Sequence, residues 1–315
     1  MSIVQPKDAA SFTTKFPLLP FAIRHEFADH PLFKLTSIVD LVKKLPRDRI
    51  EYNSGNVSVS QDPNSVLLVD LDPEEVVHRI ETANAWMVLK GIEVDPAYRA
   101  LLEEALMSVA HAQGHNSLEE AGFEDIQGFL FVSSANSTTP FHADGEDNFF
   151  VQIRGEKFFH VYDNRDNSIA SDDAIEHVIA KHRNLPYDEK FDNKGKRYQL
   201  FGGDGVFVPY TWPHWVKTAD EYSISMAITW KTKAVRWQND LYVANSMLRS
   251  LGLPQRAPGK VPALDAVKLA LFRTAAAIAA PFRQSEAIRR ALRYIVLGKN
   301  ANYYYRAGVK KGQHA

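Results

Sequence analysis

The sequence predicts a mainly β protein with helical flanks, its core an antiparallel barrel or sandwich of the jelly-roll kind. Between residues 121 and 233 the apolar side chains come in short runs: GFLFVS (128–133), NFFVQIR (148–154), KFFHVY (157–162), GVFVP (205–209) and YSISMAITW (222–230). These runs are aromatic and β-branched, the side chains that suit a half-buried pleated surface. No ten-residue helical pattern alternates with them, which argues against a doubly wound parallel sheet. On both sides of this region the apolar spacing turns helical.

The flanks follow in order. Residues 35–45 predict a helix capped by Thr36 or Ser37. Residues 95–113 predict an amphipathic helix with Pro96 near its start and Leu101, Leu102, Ala105, Leu106 and Val109 on its apolar face. Only Gly155-Glu156 separates the second and third strand runs, a gap of hairpin length. Beyond Trp237 helix resumes over 263–280, Pro281 interrupts it, and 285–297 continues behind a capping Ser285. Three regions result: an N-terminal α/β flank packed on the core (1–120), the β core (121–233) and a helical C-terminal region (234–315).

Composition narrows the function classes. The chain has 315 residues, 45% of them hydrophobic and 24% charged, as in soluble globular proteins. Its 37 Lys and Arg against 38 Asp and Glu leave no chain-wide excess to favour nucleic acid as the main partner. There is no cysteine, which excludes disulfides, thiolate zinc sites, iron–sulfur ligation and thiol nucleophiles. The N-terminus does not read as a signal peptide. The most apolar window, 269–282, contains Arg273 and falls short of the roughly 20 residues a membrane span needs. A cytoplasmic location is the expectation.

Chemistry concentrates around two of the 11 histidines. In Thr139-Pro140-Phe141-His142-Ala143-Asp144, residues two apart on an extended chain share a face, so His142 and Asp144 can converge. Two histidines and one carboxylate form the triad that holds non-haem Fe(II) with coordination positions open. The candidate for the second histidine is His214, 72 residues further on, where a Gly-rich turn, a short buried strand and a Pro/aromatic corner precede it. A histidine near tryptophans is more often a packed core residue, and the place at a strand end favours the ligand. Lys157 opens a strand and is followed by Phe158 and Phe159. If it points inward it must be paired, and a dicarboxylic cosubstrate would pair it, with the Thr139 hydroxyl adding a hydrogen bond.

The stretch TPFHADGEDNFFVQIRGEKFFHVYD (139–163) resembles the core of the Jumonji-C/cupin-type Fe(II)/2-oxoglutarate oxygenases. The branch containing the asparaginyl hydroxylase of hypoxia-inducible factor shares its T-P-x-H-x-D and N-F-F-x-Q-I-x-G-x-K segments at the same spacing. The resemblance implies a double-stranded β-helix core. It also implies Fe(II) held by His142, Asp144 and His214, and the C5 carboxylate of 2-oxoglutarate held by Lys157 and Thr139, with Asn148 near the cosubstrate's other end. O2 would be the oxidant and succinate and CO2 the by-products. Asp144, where a halogenase has glycine or alanine, favours hydroxylation or demethylation. Two features depart from the branch. Residues 225–230 lack its asparagine, which leaves Thr229 to serve the C1 carboxylate, and its upstream tyrosine has no assigned equivalent.

The substrate expectation is a protein side chain or a small metabolite. Trp86, Phe141, Phe149, Phe150, Trp212, Trp215 and Trp230 are expected mainly in the core, and Glu146 and Asp147 in a solvated turn. The basic segment 281–315, with eight Lys/Arg against Glu286, is expected to pack on the core or to form a homodimer through C-terminal helices, ahead of binding nucleic acid. Two other readings stay open: a non-catalytic metal-binding cupin-like module, and a cupin enzyme that needs no 2-oxoglutarate.

Overall fold

The computed structural model describes residues 3–61 and 69–280. Among them, twelve strands form two antiparallel sheets. In chain order they are β1 (Val4–Pro6), β2 (Phe21–His25), β3 (Ile50–Ser54), β4 (Ala85–Lys90), β5 (Glu124–Ser133), β6 (Thr138–His142), β7 (Asp147–Arg154), β8 (Lys157–Val161), β9 (Lys196–Leu200), β10 (Asp204–Val208), β11 (His214–Thr218) and β12 (Ser223–Lys231). The larger sheet runs β1-β2-β10-β7-β12-β5-β4-β3 and the smaller β6-β11-β8-β9. Strands β5 to β12 form the expected jelly roll, four in each sheet. The N-terminal strands extend the larger sheet at both edges, β2 pairing β10 and β4 pairing β5.

All five strand segments read from the sequence are present. The Gly155-Glu156 hairpin is not. Strand β7 already has β10 on one side and β12 on the other, so the chain leaves the sheet at Gly155 and begins β8 in the opposite one. Gly155 has φ 73°, and a Cβ there would sit 2.6 Å from the Tyr222 carbonyl oxygen. Gly155→Ala is therefore expected to cost about 1–3 kcal/mol of stability. Denaturant unfolding checks this, and a midpoint equal to wild type would contradict it.

Alternation along β7 explains its continuous apolar run. Phe149, Val151 and Ile153 join a cluster with residues of the flanking helices, while Phe150 faces Phe159, Val216 and Ala227 between the sheets. The flanking helices are α1 (Ser11–Thr14), α2 (Leu35–Lys44), α3 (Pro73–His78), α4 (Pro96–Ala112), α5 (Asp172–Lys181), α6 (Lys233–Ser250) and α7 (Pro262–Ala279). Helix α4 starts as expected, with Asp95 accepting from the Ala97 N–H at 3.0 Å. Helix α2 does not. Its N-cap is Lys34, and the Ser37 hydroxyl instead donates to the Pro31 carbonyl at 3.0 Å. Helix α6 begins four residues before Trp237, capped by the Thr232 hydroxyl. The helix expected over 285–297 lies outside the described residues. Among those described, no helix is long and apolar enough to cross a membrane.

One irregularity in the smaller sheet bears on the site. His214 pairs with His142 but Val216 pairs with Thr139, so two steps along β11 match three along β6. This is a β-bulge. Pro140 lies within it, where a residue without an N–H forfeits no ladder hydrogen bond.

Candidate metal and cosubstrate site

The two histidines face each other across neighbouring strands: His142 ends β6, His214 opens β11, and their rings lie 4.2 Å apart between centroids. Asp144 follows β6, and its main-chain carbonyl accepts from Thr211 N–H. Its carboxylate oxygens lie 3.7 Å from His142 Nε2 and 3.6 Å from His214 Nε2. One ligand atom from each of the three falls within 4.8 Å of the others. The second ring nitrogens are committed to the backbone: His142 Nδ1 to the Pro140 carbonyl at 2.7 Å and His214 Nδ1 to the Trp212 carbonyl at 2.9 Å. A carbonyl only accepts, so each Nδ1 carries the proton, and in the neutral ring each Nε2 lone pair faces Asp144. Burial, reinforced by His142, pushes His214 down to about 4 and keeps it neutral. Phe159 stacks on its ring. Two imidazoles and a carboxylate suit a divalent transition metal with positions left open.

These residues line a cavity of about 620 Å³ that also takes in Thr139, Asn148, Lys157 and Thr229. All seven residues singled out by sequence thus meet in one place. Lys157 points inward and is 2% exposed. Its ammonium donates to the Ser225 hydroxyl at 2.8 Å and the Ser133 hydroxyl at 3.4 Å, with the rings of Phe131 and Phe150 each 5.7 Å away. No acid forms an ion pair with it among the described residues. Burial alone pushes Lys157 down to about 7. Thr139 Oγ1 accepts from the Trp86 indole N–H at 3.0 Å.

Asn148 and Thr229 are cross-strand partners. Asn148 Nδ2 reaches Asp144 Oδ2 at 3.4 Å, and its buried Oδ1 has no donor. Thr229 Oγ1 makes only a long contact, 3.4 Å, to the Gln127 carbonyl. Glu146 and Asp147 are not in a solvated turn. Asp147 is buried, accepts from Tyr210 N–H at 2.9 Å and is pushed up to about 7 by burial. Glu146 lines the cavity 3.7 Å from Lys231, and burial raises its carboxyl despite that partner. Of the aromatic residues, Trp86 and Phe150 line the cavity, while Phe141, Phe149, Trp212 and Trp230 are buried in the core clusters.

Sequence reasoning missed Ser133 and Ser225, which hold Lys157, and the role of Trp86. A signal existed for Ser225: a hydroxyl at period two in the otherwise apolar YSISMAITW marks a polar spot on a buried face. Trp86 had no such signal, because its contact to Thr139 spans 53 residues.

A jelly roll with a two-histidine, one-carboxylate cluster in its cavity defines a cupin-type protein able to bind a metal. The chain belongs to the cupin-like domain family, whose profile matches residues 46–235, more than half its length. That agrees with the Jumonji-C/cupin resemblance read from the motif. No curated protein matches the chain significantly. Among solved structures, the X-ray structure of Escherichia coli ycfD is similar with a TM-score of 0.50 and 15% identity, over 93% of this chain and 73% of that one. The structure of YcfD, a ribosomal oxygenase from Escherichia coli, in complex with cobalt and 2-oxoglutarate has a TM-score of 0.48 and 14% identity, over 93% and 72%. At 15% identity the likeness to the ycfD structure is one of fold.

Proposed function

We propose that the protein is an Fe(II)- and 2-oxoglutarate-dependent oxygenase that hydroxylates a protein side chain or a small metabolite. One observation carries the reading: the cavity that holds the His-Asp-His cluster also holds a buried lysine that, among the described residues, has no acid beside it. A buried ammonium is costly unless an anion meets it, and a dicarboxylate that also reaches the metal is such an anion.

His142, Asp144 and His214 would hold the metal, their Nδ1 hydrogen bonds fixing the rings so that both Nε2 atoms point at it. Lys157 and Thr139 bind the distal carboxylate. Asn148 and Thr229 serve the other end, and the Asn148 amide also steadies Asp144. Phe150, Phe159, Val216 and Ala227 keep water from the space between the two ends. With Fe(II), 2-oxoglutarate and O2 bound, the centre supplies oxidative decarboxylation to succinate and CO2 together with the oxidant for a substrate C–H bond. We assign this work to the jelly roll of β5–β12.

Anaerobic calorimetry with Mn(II), then 2-oxoglutarate, tests the reading. Metal-dependent 2-oxoglutarate binding is expected, followed by succinate release when Fe(II) and air are supplied. Mn(II) binding without 2-oxoglutarate affinity would overturn it in favour of a cosubstrate-independent cupin enzyme or a non-catalytic module.

A further inference from the structure

We infer that Trp86 is a positioning residue that aims the Thr139 hydroxyl into the cavity and so selects a carboxylate there. The inference rests on the reading above, in which Thr139 and Lys157 receive the distal carboxylate of 2-oxoglutarate.

An indole N–H can only donate, and a hydroxyl has one hydrogen and two lone pairs. At 3.0 Å the Trp86 N–H therefore takes an acceptor position on Thr139 Oγ1. The threonine hydrogen must point elsewhere, and among the described residues no protein acceptor receives it. Thr139 itself lines the cavity. Lys157 is arranged in the same sense. In its ammonium form two of its hydrogens go to Ser225 and Ser133, which leaves a third. Phe131 joins the two groups, its ring centroid 6.0 Å from that of Trp86 and 5.7 Å from Lys157 Nζ. Strand pairing adds to this, because Trp86 lies opposite Ser133 across β4 and β5. This end of the cavity thus offers donors with uncommitted hydrogens. Such a surface accepts a deprotonated carboxylate and rejects an amide, whose NH2 would meet another donor. Without the indole N–H the Thr139 hydroxyl is free to turn and accept, and that rejection weakens.

Trp86→Phe keeps an aromatic ring against Phe131 and removes the donor together with the five-membered ring that carries it. In Mn(II)-loaded protein it is expected to raise the 2-oxoglutarate Kd about fivefold to tenfold, the worth of one hydrogen bond, with the Mn(II) Kd unchanged. The preference for 2-oxoglutarate over its C5 amide, 2-oxoglutaramate, should narrow at the same time. In a Thr139→Val background the substitution should have no further effect, because the two residues act as one unit. Thr139→Ser, which keeps the hydroxyl, should bind close to wild type. Unchanged affinity and preference in a folded Trp86→Phe variant, or additive losses in the cycle, would overturn the inference. If wild-type protein fails to bind 2-oxoglutarate at all, the functional reading falls first and takes this inference with it.

Discussion

Replacing Lys157 with methionine is expected to abolish 2-oxoglutarate binding, by at least about 100-fold, while making the metal-free protein harder to unfold. The two effects have one cause. In the empty cavity the ammonium is buried with two hydroxyls and two aromatic rings but, among the described residues, no acid. A buried charge without a counter-ion opposes folding, whereas an apolar side chain of similar length packs without that cost. The pH dependence separates this account from simple repacking. Burial pushes Lys157 from 10.5 down to about 7, so between those values the unfolded chain binds a proton here that the folded chain has released. Wild-type stability, measured against Lys157→Met, should then rise with pH through that window. The advantage of methionine is greatest below pH 7 and shrinks above it. Binding follows the opposite trend. A dianion favours the protonated lysine, so 2-oxoglutarate affinity should weaken by up to about tenfold per pH unit above 7, with proton uptake visible in buffers of different ionisation heat. Equal thermal midpoints for the two proteins at pH 6 would refute the stability half, and a pH-independent Kd the binding half.

Asp144→Asn is expected to cost at least about 100-fold in Mn(II) affinity and to end succinate release. Asp144 contributes the only carboxylate of the cluster, set within 3.7 Å of both Nε2 atoms. An amide of the same shape neither neutralises the cation nor matches the donor strength of a carboxylate. The fold should survive, since the main-chain carbonyl of residue 144 still accepts from Thr211. Calorimetry and thermal unfolding of the same samples check both statements. Retained turnover would remove Asp144 from the metal site.

The parts of this architecture legible in the sequence are those where one physical signal dominates. Strands β5, β7, β8, β10 and β12 announce themselves because they are apolar and aromatic enough to need burial. Strands β6, β9 and β11 do not: TTPFH, KRYQL and HWVKT mix polar residues, a proline and charge, since one face meets solvent or the cavity. The Gly155-Glu156 link misled because two residues suffice for a hairpin, and only the occupied flanks of β7 show that none forms. The α2 cap was misread because a Ser or Thr near a helix start has other acceptors, here the Pro31 carbonyl. Glu146 and Asp147 looked solvated because sequence reports polarity and not depth. The residues of the proposed ligand set stand out as a motif, whereas the groups that orient them come from strands far apart in the chain.

The irregular pairing of β6 with β11 has a geometric consequence. On a regular strand Thr139 and His142, three positions apart, would project to opposite faces. The extra residue advances the alternation by half a period, and both side chains line the same cavity while Phe141 turns away into a separate apolar cluster. In the proposed function a five-residue strand therefore serves two stations, an anion clamp near its beginning and a metal ligand at its end. The spacing between those stations is fixed by backbone phase and not by side-chain length, so losing one residue between them would keep the composition and disconnect the two functions.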